Sequence, residues 1–121
     1  MPRASKSTAS EALQVEGYEG HFEDFGPYTV GFERYHADAD LAPLFTGLPD
    51  DRCQCPHWGV VLRGTLVFRT DDGAVEIGAG EAYYVGPGHL PVLSAGTEVV
   101  EFSLTTELEK TLEVVAQNAA G

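Results

Sequence analysis

The stretch Thr65–Leu104, TLVFRTDDGAVEIGAGEAYYVGPGHLPVLSAGTEVVEFSL, decides the fold class. Its apolar runs are short: TLVFRT at 65–70, AVEI at 74–77, EAYYV at 81–85, PVLS at 91–94 and TEVVEFSL at 97–104. Between them stand Asp72-Gly73, Gly78-Ala79-Gly80, Gly86-Pro87-Gly88 and Ala95-Gly96. Asp-Gly marks a hairpin, because the glycine takes a positive φ that a Cβ would oppose. Short strands punctuated at about 8–12-residue intervals make an all-β sandwich or barrel.

Upstream, Arg63-Gly64 is a bend that ends a further extended run, Cys53 to Leu62. From Thr29, Val30, Phe32 and Arg34 alternate with Gly31, Glu33 and Tyr35, the period-two pattern of a strand. Ala37 to Asp51 is acidic and carries Pro43, Gly47 and Pro49, so it reads as a loop or partial strand. Ser10 to Tyr28 scatters its aromatics without a clear period and reads as irregular or as one short strand. The opening MPRASKSTAS has Arg3 and Lys6 but no apolar run behind them, so it is expected to be a disordered leader rather than a secretory signal. Downstream the period changes. Leu108, Leu112, Val115 and Ala119 fall at i, i+4, i+7 and i+11, and Thr106-x-x-Glu109 offers a capping box, together predicting one amphipathic helix. The expected organisation is a leader at 1–12, a β-barrel at 13–104 and a C-terminal helix at 105–121.

With 121 residues the chain makes one domain with a modest core. Its 7 basic and 19 acidic residues give a net charge of −12, a surface that repels nucleic acid and anionic membrane alike. No apolar run approaches the ~20 residues a spanning helix needs. Two cysteines are too few for a disulfide scaffold. Cys53 and Cys55, two apart on a strand, would have Cα atoms roughly 6.6 Å apart, at the edge of disulfide reach. Free thiols in a reducing cytoplasm are the expectation.

The densest set of donor side chains is Asp51-Arg52-Cys53-Gln54-Cys55-Pro56-His57. In an extended segment the odd positions share a face, although Pro56 limits the strand to an edge or bulge. Asp, Cys, Cys and His on one face are costly core filling unless a metal binds them. The alternative is that the cysteines are small buried hydrophobes beside a partly exposed histidine. A distant donor is needed to close a metal site, and His89 in Gly86-Pro87-Gly88-His89 is the best candidate. Trp58 reads as a core or mouth aromatic, and Tyr83 and Tyr84 alternate so that one faces inward. Glu101, between Val100 and Phe102, becomes a general base or a further metal donor if it points inward; the apolar flanks favour outward. His36 reads as solvated surface, and His21 has no visible partner.

The span from Gly47 to Phe102 resembles a small single-domain cupin, a jelly-roll barrel. The cupin first motif, G-x5-H-x-H-x3,4-E-x6-G, fits in two registers. Counted from Gly47, Cys53 and Cys55 take the histidine positions. Counted back from Gly64, His57 takes the glutamate position, Cys53 the second histidine and Asp51 the first. The second motif, G-x5-P-x-G-x2-H-x3-N, survives as Gly80 to Gly88, with His89 two residues early and Pro91 in the histidine place. The resemblance therefore implies the fold and a thiolate-substituted site drawn from Cys53, Cys55, His57 and His89, with a divalent transition metal (zinc, iron or copper) favoured by donor softness. It implies a metal-dependent enzyme acting on a small organic molecule, as an oxygenase, isomerase or cyclase, or alternatively a non-catalytic module for a metal or small ligand. It further implies a homodimer.

Overall fold

The computed structural model describes residues 1–120; Gly121, the end of the expected helix, lies outside the described residues. Ten strands follow one another: β1 (Glu11–Val15), β2 (Tyr18–Phe25), β3 (Tyr28–Tyr35), β4 (Ala39–Asp40), β5 (His57–Arg63), β6 (Thr65–Thr70), β7 (Gly73–Gly78), β8 (Ala82–Val85), β9 (Leu90–Leu93) and β10 (Glu98–Leu104). The helix α1 (Thr105–Ala120) closes the chain. The strands form two antiparallel sheets, one in the order β1-β2-β3-β10-β5-β8 and the other β4-β9-β6-β7. The expected all-β jelly roll with a C-terminal helix is what forms. No described helix is long and apolar enough to cross a membrane.

The turns follow the glycines. Gly64, at φ +79°, joins β5 to β6 and lies against Thr97, so close that a Cβ there would sit 2.6 Å from the Thr97 Cα. Gly73 takes φ +118° immediately after the turn that pairs Thr70 with Gly73. The core between the sheets contains Tyr35, Val61, Leu66, Phe68, Ile77, Val85, Leu93 and Val99. Removing each large apolar side chain from water stabilises the fold by about 1.5–3 kcal/mol.

Four expectations need correction. Ser10 to Tyr28 holds two strands, β1 and β2, and β1 takes Glu11 and Ala12 from the span expected as leader. The run expected from Cys53 to Leu62 becomes a strand only at His57, after Pro56, which has no N–H for a ladder. The helix turns Leu108, Thr111 and Val115 toward the protein, whereas Leu112 of the expected stripe is 47% exposed. Trp58 is no core residue: it stands on the outer face, 39% exposed, with Tyr84 beside it at 5.1 Å between ring centroids.

Candidate metal centre

His57 opens β5 and His89 immediately precedes β9, so the two sheets bring their imidazoles together, with ring centroids 5.1 Å apart. Cys53 is held to His89 through the backbone. Its N–H donates to the His89 carbonyl at 3.0 Å, and its own carbonyl accepts from the N–H groups of Gly88 (2.8 Å) and His89 (3.2 Å). This isolated antiparallel bridge, with no strand around it, seats the thiol beside both rings. One donor atom from each of Cys53, His57 and His89 lies within 4.8 Å of the other two, and all three residues are buried. The Cys53 sulfur is 3.7 Å from the His57 Nε2. A tetrahedral ion with metal–sulfur and metal–nitrogen bonds of ~2.3 and ~2.0 Å separates its donors by about 3.5 Å, so the spacing suits a common ion.

The far nitrogens of both rings are anchored. His89 Nδ1 lies 2.7 Å from the Gly86 carbonyl, which can only accept, so Nδ1 carries the proton and Nε2 the free lone pair. His57 Nδ1 lies 2.7 Å from the Ser103 hydroxyl and 3.3 Å from a carboxylate oxygen of Glu101. Such partners hold the orientation of ligating imidazoles, and the Gly86 carbonyl also fixes the tautomer of His89. Burial lowers both imidazoles to about 4, so they are neutral at pH 7. It pushes the Cys53 thiol up to about 11.

Glu101 faces inward, contrary to the outward expectation. In the ladder it stands between Gly31 of β3 and Gly59 of β5, two positions without side chains. The Tyr83 ring lies over Gly59 and donates its hydroxyl to Glu101. Tyr18 likewise donates to Glu33 at 2.6 Å. Burial raises both carboxyl groups above their ordinary range, and the charge of Glu101 pushes Glu33 up further.

Of the four expected ligands, the structure brings together Cys53, His57 and His89. Cys55 is fully buried but lies outside that group; its sulfur meets the Pro56 carbonyl at 3.5 Å. The even spacing of positions 53, 55 and 57 fails as a common face because Pro56 interrupts the extended run. Asp51, the other donor considered, is exposed, has a φ of 56° and accepts the Gly47 N–H at 2.9 Å. His36 is half exposed as expected, and His21 finds Glu19 at 2.7 Å. Ser103, whose hydroxyl meets His57 Nδ1, carried no motif.

No protein-family model matches the chain, and no curated protein does. Solved structures do. A protein of unknown function from Rhizobium leguminosarum bv. viciae 3841 is 20% identical, with a TM-score of 0.60 over 85% of this chain and 94% of its own. An RmlC-like cupin from Shewanella frigidimarina NCIMB 400 is 16% identical, with a TM-score of 0.53 over 78% of this chain and 83% of its own. A sugar phosphate isomerase from a cupin superfamily, from Silicibacter pomeroyi DSS-3, is 16% identical, with a TM-score of 0.50 over 73% of this chain and 60% of its own. The fold is a cupin.

Of the two motif registers, the one counted back from Gly64 ends on the glycine of the β5–β6 turn. That puts His57 in the glutamate place and Cys53 in the second histidine place, and these two side chains do meet. In the second motif Pro91 fills the histidine place and is buried. His89 reaches the cupin interior instead, because its backbone is paired with Cys53.

Proposed function

We propose that this cupin binds a divalent transition metal through Cys53, His57 and His89 and acts on a small organic molecule. The observation that carries the reading is the anchoring of both Nδ1 atoms, which holds two neutral imidazoles beside a thiol at metal-bridging distance. One thiolate and two imidazoles suit zinc, iron or copper better than magnesium or manganese. Three protein donors leave a coordination position open, the mark of catalytic rather than structural sites. A bound metal would supply Lewis-acid polarisation of a substrate oxygen.

The chain's own groups divide the remaining work. Cys53, His57 and His89 hold the ion, and Ser103 and Glu101 orient His57. Glu101, 16% exposed at its side chain and raised by burial, can hold or release a proton at the oxygen that faces His57. Tyr83 fixes its other oxygen.

One observation favours the alternative, a non-catalytic metal or ligand module: Cys53, His57 and His89 are only 2%, 7% and 1% exposed. Metal analysis of protein reconstituted with zinc, iron(II) or copper, followed by X-ray absorption, separates the readings. One equivalent bound with one sulfur, two imidazoles and an exchangeable solvent ligand supports the enzyme. A saturated shell supports the module. Failure to retain any metal, or unchanged retention in both Cys53→Ser and His57→Ala, overturns the metal reading.

A further inference from the structure

The buried thiol–imidazole cluster has two kinds of wall. On one side stand the sheets: His57 is held in β5 between β10 and β8, a ladder that opens only when the barrel itself unfolds. On the other side the cover is α1. Thr111 is buried on the inner face of the helix, and Leu108 and Val115 pack with Phe45, Cys53 and Cys55. The helix rests mainly on the short 3-10 turn Ala42–Phe45 rather than on a sheet. Leu108 and Val115 are themselves only partly buried, so little apolar area holds the helix down.

The two ends of α1 are tied differently. At its start the chain continues directly from β10, the Thr105 N–H donates to the Pro27 carbonyl at 2.9 Å, and the Thr105 hydroxyl meets that of Thr29 at 2.8 Å. At its far end, among the described residues, the hydrogen bonds that fasten it come from one side chain. The Asn118 amide donates to the carbonyls of Leu44 at 2.7 Å and Thr46 at 2.8 Å, spanning 74 and 72 residues of sequence. A firm N-terminal tie and one distal amide are the parts of a hinge and a latch.

We propose that α1 is a hinged cap over the Cys53 side of the cluster, latched by Asn118, and that its opening, not unfolding of the barrel, admits ions and small reagents to the buried donors. The cap goes beyond the metal reading and does not rest on it, since it concerns access to the thiols whatever they bind.

The test is alkylation of Cys53 and Cys55 by N-ethylmaleimide in the metal-free full-length protein under native conditions, followed by mass spectrometry. Labelling then reports how often the cover is open. Losing two hydrogen bonds in Asn118→Ala should speed labelling roughly tenfold or more. Asn118→Asp, which cannot donate and sets a charge against two carbonyls, should do at least as much. Ile77→Val loosens the opposite sheet without touching the cap and should change labelling less than twofold, although its unfolding midpoint falls. Labelling of both Asn118 variants within twofold of the wild type overturns the cap, as does equal acceleration by Ile77→Val. Cap-dependent labelling in a protein that retains no metal would keep this inference and sink the metal reading.

Discussion

Metal binding at this site should release one proton, and the number follows from the environment of each donor. At pH 6 to 8 both imidazoles, lowered by burial to about 4, are already neutral and give up nothing. The Cys53 thiol, pushed up to about 11, is protonated throughout that range and must ionise to ligate. The apparent affinity therefore rises about tenfold for each pH unit, roughly 100-fold from pH 6 to pH 8, or about 2.7 kcal/mol at ~1.36 kcal/mol per unit. Zinc titrated into lightly buffered protein with an indicator dye counts the protons, and competition with a chromophoric chelator at each pH gives the slope. Cys53→Ser should bind more weakly and lose the slope, because a serine hydroxyl stays protonated. A second proton that disappears in Cys55→Ser, as one from a metal-bound water would not, would mean that Cys55, which burial pushes up to about 12, also ligates. No proton would mean that Cys53 does not ligate, and either result refutes the three-donor site.

Three further outcomes can be checked without metal. Glu101→Gln should flatten the pH dependence of stability: a carboxyl raised in the folded state contributes stability below its unfolded value of 4.5 that is lost as pH rises through its raised folded value. The difference between wild type and variant in urea unfolding, taken from pH 4 to pH 8, isolates this from the histidines; a constant difference would contradict an inward Glu101. Gly59→Ala should cost about 1–3 kcal/mol by overpacking, since the new Cβ would sit 2.6 Å from the Tyr83 ring and 2.8 Å from the Val100 carbonyl; an unchanged unfolding midpoint would speak against the Tyr83 placement. Finally, Tyr28, Trp58, Tyr84 and Phe102 stand 38%, 39%, 59% and 37% exposed, with Val60 and Leu62 on the same outer face, and Tyr28, Trp58 and Phe102 line a groove of about 240 Å³ there. With aromatics burying about 150–250 Å² when covered, this leaves on the order of 500 Å² of apolar surface, close to the apolar share of an ~800 Å² half-interface. Light scattering should find a dimer that Tyr84→Glu converts to monomer; a wild-type monomer would refute this.

The sequence made the fold legible because turns are local. The positive φ at Gly64 and Gly73 follows from residues within a few positions of them, and no distant partner is needed to read it. β1 and β2 escaped for the opposite reason. β1 is exposed along its whole length, and β2, YEGHFEDF, mixes glycine, acids and aromatics on both faces, so neither shows the apolar alternation that marks a half-buried strand. The site was legible as a set of residue types and not as a geometry. Cys53 meets His89 through one bridge across 36 positions, a pairing no local pattern encodes, whereas Cys55 was counted in because an ideal alternation ignores what Pro56 does to it.

Glu101 shows where the usual rule inverts. In β10, Val99, Glu101 and Ser103 alternate with Val100, Phe102 and Leu104, and the pattern alone does not say which set faces in. The assumption that apolar residues point inward favoured Val100 and Phe102, yet Phe102 is 37% exposed and Ser103 is 3% exposed. Such an inversion is stable only if each buried polar group has a partner. Here it does: Glu101 has Tyr83 and His57, and Ser103 has His57. The polar face of β10 is thus turned inward because a site is there to receive it. The apolar face turned outward is the same one that the dimer prediction requires to be covered. Both consequences come from one choice of strand orientation. Glu101→Gln therefore tests the inner face, and Tyr84→Glu on β8 tests the outer face of the same sheet.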